Sequence, residues 1–333
     1  MKTSCTILIS LVIFCSQTWA HDKQLNEYVP VLQNVLDTSF KIDQTKGYHI
    51  EEVKKDVYVL TDGIYQSAFI TSGKKVIVID APQSLGANIK KAVAEVTDKR
   101  IGTLIYTHMH QDHIGGSKFL ADIKGLKVIA DKHTAEYLKE VKDPNRLIPT
   151  KVIKKHFLKI KDGDLTIRLN GKNRYHAIEG DLFVYIPERK FLMVIDVLAP
   201  GYVPFRGLDL TTDVHGYRKI FDTILSYDFD IIVTGHLTKL GTLEDVELTK
   251  AYVEDLYQTV KRIHANTDIQ QSMGATGQEV GFDNKYLLFK VFLDEVIKKA
   301  TKEIEERWIT KLAGVDVWAK SHVGTMLVYV RWD

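Results

Sequence analysis

The stretch THMHQDHIGG, Thr107 to Gly116, places three histidines and an aspartate within six residues of a chain that has only 12 histidines. His108 and His110 are two apart, so on extended backbone their side chains point the same way, and Asp112 continues that parity. His113 begins the turn into Ile-Gly-Gly, where glycine lets the backbone approach closely. Imidazole suits zinc, iron and nickel, and a carboxylate adds a hard oxygen that can orient water. A polar loop that merely happens to be rich in histidine is the plain alternative. Four potential ligands directly after a buried-looking strand outweigh it.

Those residues need elements to hold them. DVYVL, SAFIT and KVIVID read as strands, rich in β-branched and aromatic residues and separated by Gly-containing turns. SLGANIKKAVAEVTD follows as a helix with Ser84 as N-cap. IGTLIYTH is a strand running straight into the histidine turn, and LKVIADKHTAEYLKEV repeats strand then helix. A second series has the strands KVIKKHFLKI, DLTIRL, DLFVYIP and KFLMVID, then the helix TTDVHGYRKIFDTILSY with Thr212 or Asp213 as cap. The strand FDIIVTGH ends that series on a histidine. Two β-rich halves packed sheet to sheet with helices outside fit this order. Residues 243–307 are mostly helical by periodicity, and GTMLVYVRWD is read as a closing strand. The alternating lysines 151, 154, 155, 159 and 161 are read as the solvated face of an edge strand.

Composition bounds the function. With 333 residues, 45% hydrophobic content and 26% charged residues, the chain is of ordinary globular type. The first twenty residues have one positive charge at Lys2, an apolar run from Ile7 to Cys15, and small residues Thr18 and Ala20 around Trp19. This is a signal peptide with cleavage near Ala20, too short for a spanning helix. Its removal takes both cysteines, Cys5 and Cys15, and only Lys2 from a net charge of +2. The expectation is a nearly neutral periplasmic or secreted protein with no disulfide, no thiolate ligand, no stable membrane anchoring and no electrostatic footprint for nucleic acid. The division expected is 1–20 signal peptide, 21–50 N-terminal segment, 51–242 metal-binding domain, and 243–333 a mainly helical extension packed on it.

The histidine turn resembles the signature of the metallo-β-lactamase superfamily, Thr-His-x-His-x-Asp-His followed by small residues. That family draws its other ligands from later strand ends, and the resemblance continues there. NRYHAIEGD supplies His176 with Gly180 and Asp181 close behind, KFLMVIDVL supplies Asp196, and DIIVTGH supplies His236. Asp80, ending KVIVID, falls where the family keeps a supporting aspartate. The resemblance covers roughly residues 51–238. It implies an α/β fold, the αβ/βα sandwich, carrying the helical C-terminal extension and a two-metal site. His108, His110 and His176 would hold one ion, Asp112, His113 and His236 the other, with Asp196 bridging. Two cations about 3.5–4 Å apart can share a water, lower its pKa and polarise a substrate oxygen. Asp112 would hold that water and later pass a proton to the leaving group. Asp80 would fix a ligand's second ring nitrogen, or else be a turn aspartate before Ala81-Pro82.

The best-known β-lactamases of the family use a cysteine where Asp196 stands. The ligand set here is more like that of glyoxalase II and related hydrolases. The expected function is therefore an exported hydrolase with two zinc ions, acting on an ester, thioester, lactone or related bond of a small molecule. Iron is the other metal considered, because the family's mononuclear persulfide dioxygenases use the equivalents of His108, His176 and Asp196 and generally lack the final histidine. The flavin-linked diiron branch has glutamate where His110 stands. A non-catalytic metal-binding protein on the same fold is the third class. Tyr65, Tyr202, Phe205, Arg206 and His215 are read as lining a substrate pocket, against the alternative of loops packing their own aromatics.

Overall fold

Residue alternation sorts the strands into layers. In Val76-Ile77-Val78-Ile79 all four side chains are buried, but Val76 and Val78 join one apolar cluster and Ile77 and Ile79 another. A strand with two apolar faces must be covered on both. The computed structural model describes residues 25–176 and 180–333, so the expected signal peptide lies outside the described residues. It contains β1 (His49–Lys54), β2 (Val57–Thr61), β3 (Gln66–Ile70), β4 (Val76–Ile79), β5 (Ile101–Ile105), β6 (Lys127–Asp131) and β7 (Lys151–Ile153), in chain order in one sheet. The first four pair antiparallel, and β4 to β7 run parallel. β8 (Phe157–Asp162), β9 (Leu165–Asn170), β10 (Phe183–Ile186), β11 (Phe191–Met193) and β12 (Ile231–Val233) form the second sheet in the order β12-β11-β10-β9-β8. Only β11 and β12 are parallel there.

The helices are α1 (Gln33–Asp37), α2 (Gly86–Val96), α3 (Gln111–Ile114), α4 (Lys132–Val141), α5 (Arg206–Leu210, a left-handed turn from Gly207 onward), α6 (Val214–Leu225), α7 (Leu243–Asn266), α8 (Ile269–Val280), α9 (Lys285–Trp308) and α10 (Val315–Trp332). Ile79, Ile105, Ile167, Val184, Met193 and Val233 close the space between the sheets. Ile89, Val93 and Leu138 of α2 and α4 cover the outside of the first sheet. The outside of the second is covered by α6, α7, α9 and α10 in one continuous apolar cluster. This is an αβ/βα sandwich with a helical C-terminal layer. No helix among the described residues is long and apolar enough to cross a membrane.

Three sequence expectations change. KVIKKHFLKI is not one strand but β7 and β8, in different sheets, joined through His156 at φ 58°. Both are edge strands and their lysines are exposed. Ser84 does not cap α2, whose N-cap is Leu85 with no side-chain cap bond, whereas Asp213 does cap α6 by accepting from Gly216 N–H. GTMLVYVRWD is the end of α10, not a strand. Val315, Asp316, Ala319, His322, Val323, Met326 and Leu327 are the buried set, a helical period that a window starting at Gly324 cuts in half.

Candidate metal centre

Strand ends deliver the site. Asp80 follows β4, residues 107–113 follow β5, Asp196 follows β11 and His236 follows β12, while His176 comes from the β9–β10 connection. Asp80 (φ 59°) and Asp196 (φ 57°) both sit in the left-handed region, where aspartate is among the few residues tolerated, and strained backbone of this kind gathers at functional sites.

The seven residues singled out from the sequence come together as two adjoining groups. His108, His110, His176 and Asp196 bring one donor atom each within 4.8 Å of one another, and so do Asp112, His113 and His236. The Asp196 carboxylate faces both. Its Oδ2 is 3.3 Å from His108 Nε2 and 3.7 Å from His176 Nδ1. Its Oδ1 is 3.2 Å from His113 Nε2 and 3.0 Å from His236 Nε2. Asp112 Oδ2 lies 3.4 Å from His113 Nε2 and 3.8 Å from His236 Nε2. The two Nε2 atoms of His113 and His236 are 3.2 Å apart. At that distance they either share a proton or turn lone pairs to a common cation.

Three donor atoms of the cluster (His108 Nε2, His176 Nδ1 and Asp196 Oδ1) are buried without a well-directed hydrogen bond. Each such group costs about 1–3 kcal/mol when left unsatisfied, and an ion is one of the few things that explains several together. The donor set of imidazole plus carboxylate fits zinc or iron. Charge agrees with this. Burial holds His108 below the usual histidine value and brings His110 down to about 4, so both are neutral ligands at pH 7. Burial also opposes charge on His113, but Asp196, helped by Asp112 and Asp80, outweighs it and raises this ring to about 9. Burial likewise opposes the Asp196 charge, yet His113 and the other rings hold its carboxyl well below the ordinary range. The cluster draws positive charge inward.

The surrounding residues fix the ligands. Asp80 is fully buried and accepts from Thr107 N–H (2.8 Å) and Thr107 Oγ1–H (2.6 Å), with burial pushing its carboxyl up to about 7. Thr107 Oγ1, having given its proton away, accepts from His108 Nδ1 at 3.2 Å, which leaves the lone pair on Nε2, facing Asp196. Asp80 thus supports His108 at one remove, through Thr107. Asp181 Oδ1 lies 3.7 Å from His176 Nδ1. Gln66 is a residue sequence reasoning missed. Buried in β3, it accepts from Thr234 N–H (3.2 Å) and Gly235 N–H (3.1 Å) and donates to Leu237 O (3.1 Å), gripping the turn that carries His236. A glutamine inside an apolar strand was the available signal.

Gly235 itself has φ 94°, and a Cβ there would stand 2.8 Å from Ile195 Cγ2 and 2.9 Å from His113 Cε1. Gly235→Ala is expected to cost about 1–3 kcal/mol of stability through backbone strain alone. By pushing His113 aside it should also lower metal content below that of the wild type. Thermal melts beside metal analysis check this, and unchanged metal content would contradict it.

The pocket residues separate. The Tyr65 ring lies 5.2 Å from His236 and 6.1 Å from His113, against the second group. Phe205, half exposed, stacks edge-on with Trp318 of α10, and Arg206 beside it is exposed. Tyr202 pairs its backbone with Ala199 and Ala313. His215 is not over the cluster. It lies 3.2 Å from the Tyr329 hydroxyl and lines a separate cavity of about 780 Å³ with Lys172, Arg174, Thr212 and Lys219, because the α6 face that carries it turns towards α10.

Comparison with known proteins accords with this architecture. Residues 60–236 match the family model of the metallo-beta-lactamase superfamily. The 2,4-dinitroanisole O-demethylase subunit alpha of Nocardioides sp. (strain JS1661) is 27% identical over 210 residues, 60% of this chain. The chain spans 62% of that relative's length. A metal-dependent hydrolase of Pyrococcus abyssi is 32% identical over 161 residues, 42% of this chain and 69% of its own. The solved structure of a stereoselective inverting sec-alkylsulfatase from Pseudomonas sp. shares the fold with TM-score 0.57 at 16% identity, covering 91% of this chain and 54% of that one. Since the family match begins in β2, ends at His236 and takes in every strand that feeds the cluster, the chain belongs to the metallo-beta-lactamase superfamily.

Proposed function

We propose that this chain is an exported hydrolase holding two zinc ions, and that it cleaves an ester, thioester, lactone or related bond in a small molecule. The observation that carries the reading is the Asp196 carboxylate, one oxygen facing His108 and His176 and the other facing His113 and His236. His108, His110 and His176 would hold one ion, Asp112, His113 and His236 the other, with Asp196 shared. When bound, such a pair supplies Lewis acidity and makes water a nucleophile at neutral pH. Asp112 is the partly exposed acid of the cluster, 39% accessible at its side chain. It orients the attacking water, accepts its proton as the new carbon–oxygen bond forms, and returns that proton to the departing alkoxide or thiolate. Tyr65 walls the side of His236, and Tyr202, Phe205 and Arg206 form the outer approach.

The test is metal content, by mass spectrometry, on residues 21–333 purified without added metal, beside a substrate panel. The panel holds lactones, thioesters, carboxylic esters, phosphodiesters, β-lactams and, because of the O-demethylase relative, aryl methyl ethers. Near two zinc equivalents with turnover of one class is the expected result. One iron with persulfide oxidation would replace the reading. No tightly held metal, even after zinc is offered, would overturn it.

A further inference from the structure

We infer that Tyr217 and Tyr175 are positioning residues for Asp196, acting through peptide carbonyls on either side of it. This rests on the reading that Asp196 is the shared metal ligand. Asp196 lies just past the end of β11, where sheet bonding weakens. Val194 N–H still reaches Val233 O at 2.9 Å, but Asp196 N–H reaches Thr234 O only at 3.4 Å. With φ 57° and few ladder bonds of its own, the residue needs other restraints.

Two buried phenols supply them. Tyr175 donates to Ile195 O at 2.8 Å, fixing the peptide that enters Asp196. Tyr217 donates to Val197 O, fixing the chain that leaves it. Both rings are essentially inaccessible, so neither hydroxyl has water as an alternative partner. Tyr175 also directly precedes His176, so one residue ties two members of the same group together.

The tyrosines are held in turn. Thr211 Oγ1 donates to Tyr175 O, and Thr212 N–H donates to His176 O at 3.1 Å. Asp209 is buried, accepts from Phe205 N–H at 2.8 Å, and places its other oxygen 3.4 Å from the Tyr217 hydroxyl. It belongs to a run, Gly207 to Leu210, in which all four residues have positive φ. Left-handed turns of non-glycine residues persist only when the surroundings impose them. Helix α10 does so here. Ser321 Oγ accepts from Gly207 N–H at 3.1 Å. His322 Nε2 donates to Phe205 O at 2.9 Å, which leaves Nδ1 to accept from Tyr252 of α7 at 2.8 Å. The C-terminal helical layer is therefore connected to the bridging carboxylate by a continuous series of hydrogen bonds, part-buried at Phe205 and Gly207 and fully buried at Tyr217.

The experiment titrates metal-free full-length wild type, Tyr217→Phe and Tyr175→Phe with zinc, and with cobalt for its visible spectrum. Tyr227→Phe, which removes a hydroxyl in the same apolar cluster that accepts from Asn170 rather than donating to a neighbour of Asp196, is the control. Each phenylalanine keeps the ring and removes only the bond to the carbonyl. Loss of a group that orients a ligand weakens metal binding by roughly ten- to a hundredfold. That drop, with an altered cobalt spectrum, is expected for Tyr217→Phe and Tyr175→Phe and not for Tyr227→Phe. Melting of the metal-free variants separates this from general destabilisation, which would lower the melting temperature but leave affinity and spectrum unchanged. Should Tyr217→Phe not fold, Tyr175→Phe carries the test. Wild-type affinity and spectrum in both would overturn the inference. Wild type that takes up only one equivalent would sink the two-metal reading, while a tenfold loss of that one equivalent in Tyr217→Phe would still uphold the positioning role.

Discussion

Asp196→Asn is expected to reduce bound metal from two equivalents to one or none, and to lower turnover by at least about a thousandfold. The amide keeps the size of the carboxylate but removes the charge that faces both histidine groups. Losing a shared ligand forfeits several kcal/mol of charge stabilisation, and about 4 kcal/mol corresponds to three decades in rate. A second signature belongs to the metal-free protein. In the wild type His113 is raised to about 9, with Asp196 the largest attractive partner. A folded-state pKa above the unfolded value means that this pairing stabilises the fold fully below the ordinary histidine value of about 6.5 and is lost as pH rises through about 9. The metal-free Asp196→Asn protein should thus be least stable relative to wild type near pH 6, and the gap should close towards pH 9 and above. Chelated samples melted at both pH values check the sign. Equal deficits at the two values would show that the destabilisation comes from packing rather than from the ion pair. Retention of two metals would remove Asp196 from the centre altogether.

The sequence made the ligands legible because their signal is local. His108, His110, Asp112 and His113 stand within six residues just past a strand, and Asp196 and His236 each close an apolar run that reads as a strand; the expected parity does not extend to Asp112, which lies in α3 and groups with His113 and His236. The supports were opaque for the opposite reason. Gln66 holds a turn some 170 residues away, and although a glutamine at the head of an apolar strand is unusual, nothing within β3 says which segment it grips. Nothing in the sequence marks Tyr175 and Tyr217, whose hydroxyls gain meaning only when the Ile195 and Val197 carbonyls are seen opposite them. The break between β7 and β8 falls on Lys154-Lys155-His156, three polar residues in a row, and was hidden because lysines among apolar residues on both sides read as one edge strand where there are two. His215 was misplaced since a helix start says which residues are near the site in sequence, not which face of the helix meets it.

Deleting the C-terminal layer is expected to abolish folding, so a 25–242 fragment should be insoluble or molten and take up no stoichiometric metal. Tyr217, Ile220, Phe221 and Ile224 of α6 share one apolar cluster with Phe183, Leu192 and Ile232 of the second sheet. The same cluster contains Tyr252, Leu256 and Val260 of α7, Phe292, Val296, Ile304 and Trp308 of α9, and Val323, Met326 and Leu327 of α10. Burying one large apolar side chain is worth about 1.5–3 kcal/mol. Uncovering even four of those that remain would cost about 6–12 kcal/mol, as much as the whole stability of a typical domain. The fragment also loses the backbone pairs Val203 N–H to Ala313 O (3.0 Å) and Ala313 N–H to Gly201 O (2.9 Å), along with the His322 bond to Phe205. Far-UV circular dichroism, dye binding to exposed apolar surface and zinc uptake measure the outcome. A soluble fragment that melts cooperatively and binds two zinc ions would show that α6 alone shields the second sheet. It would also remove α10 from any role in holding Asp196, whereas a fragment that keeps its helices and strands but loses the metal would locate that role in the tether between α10 and the Gly207–Leu210 turn.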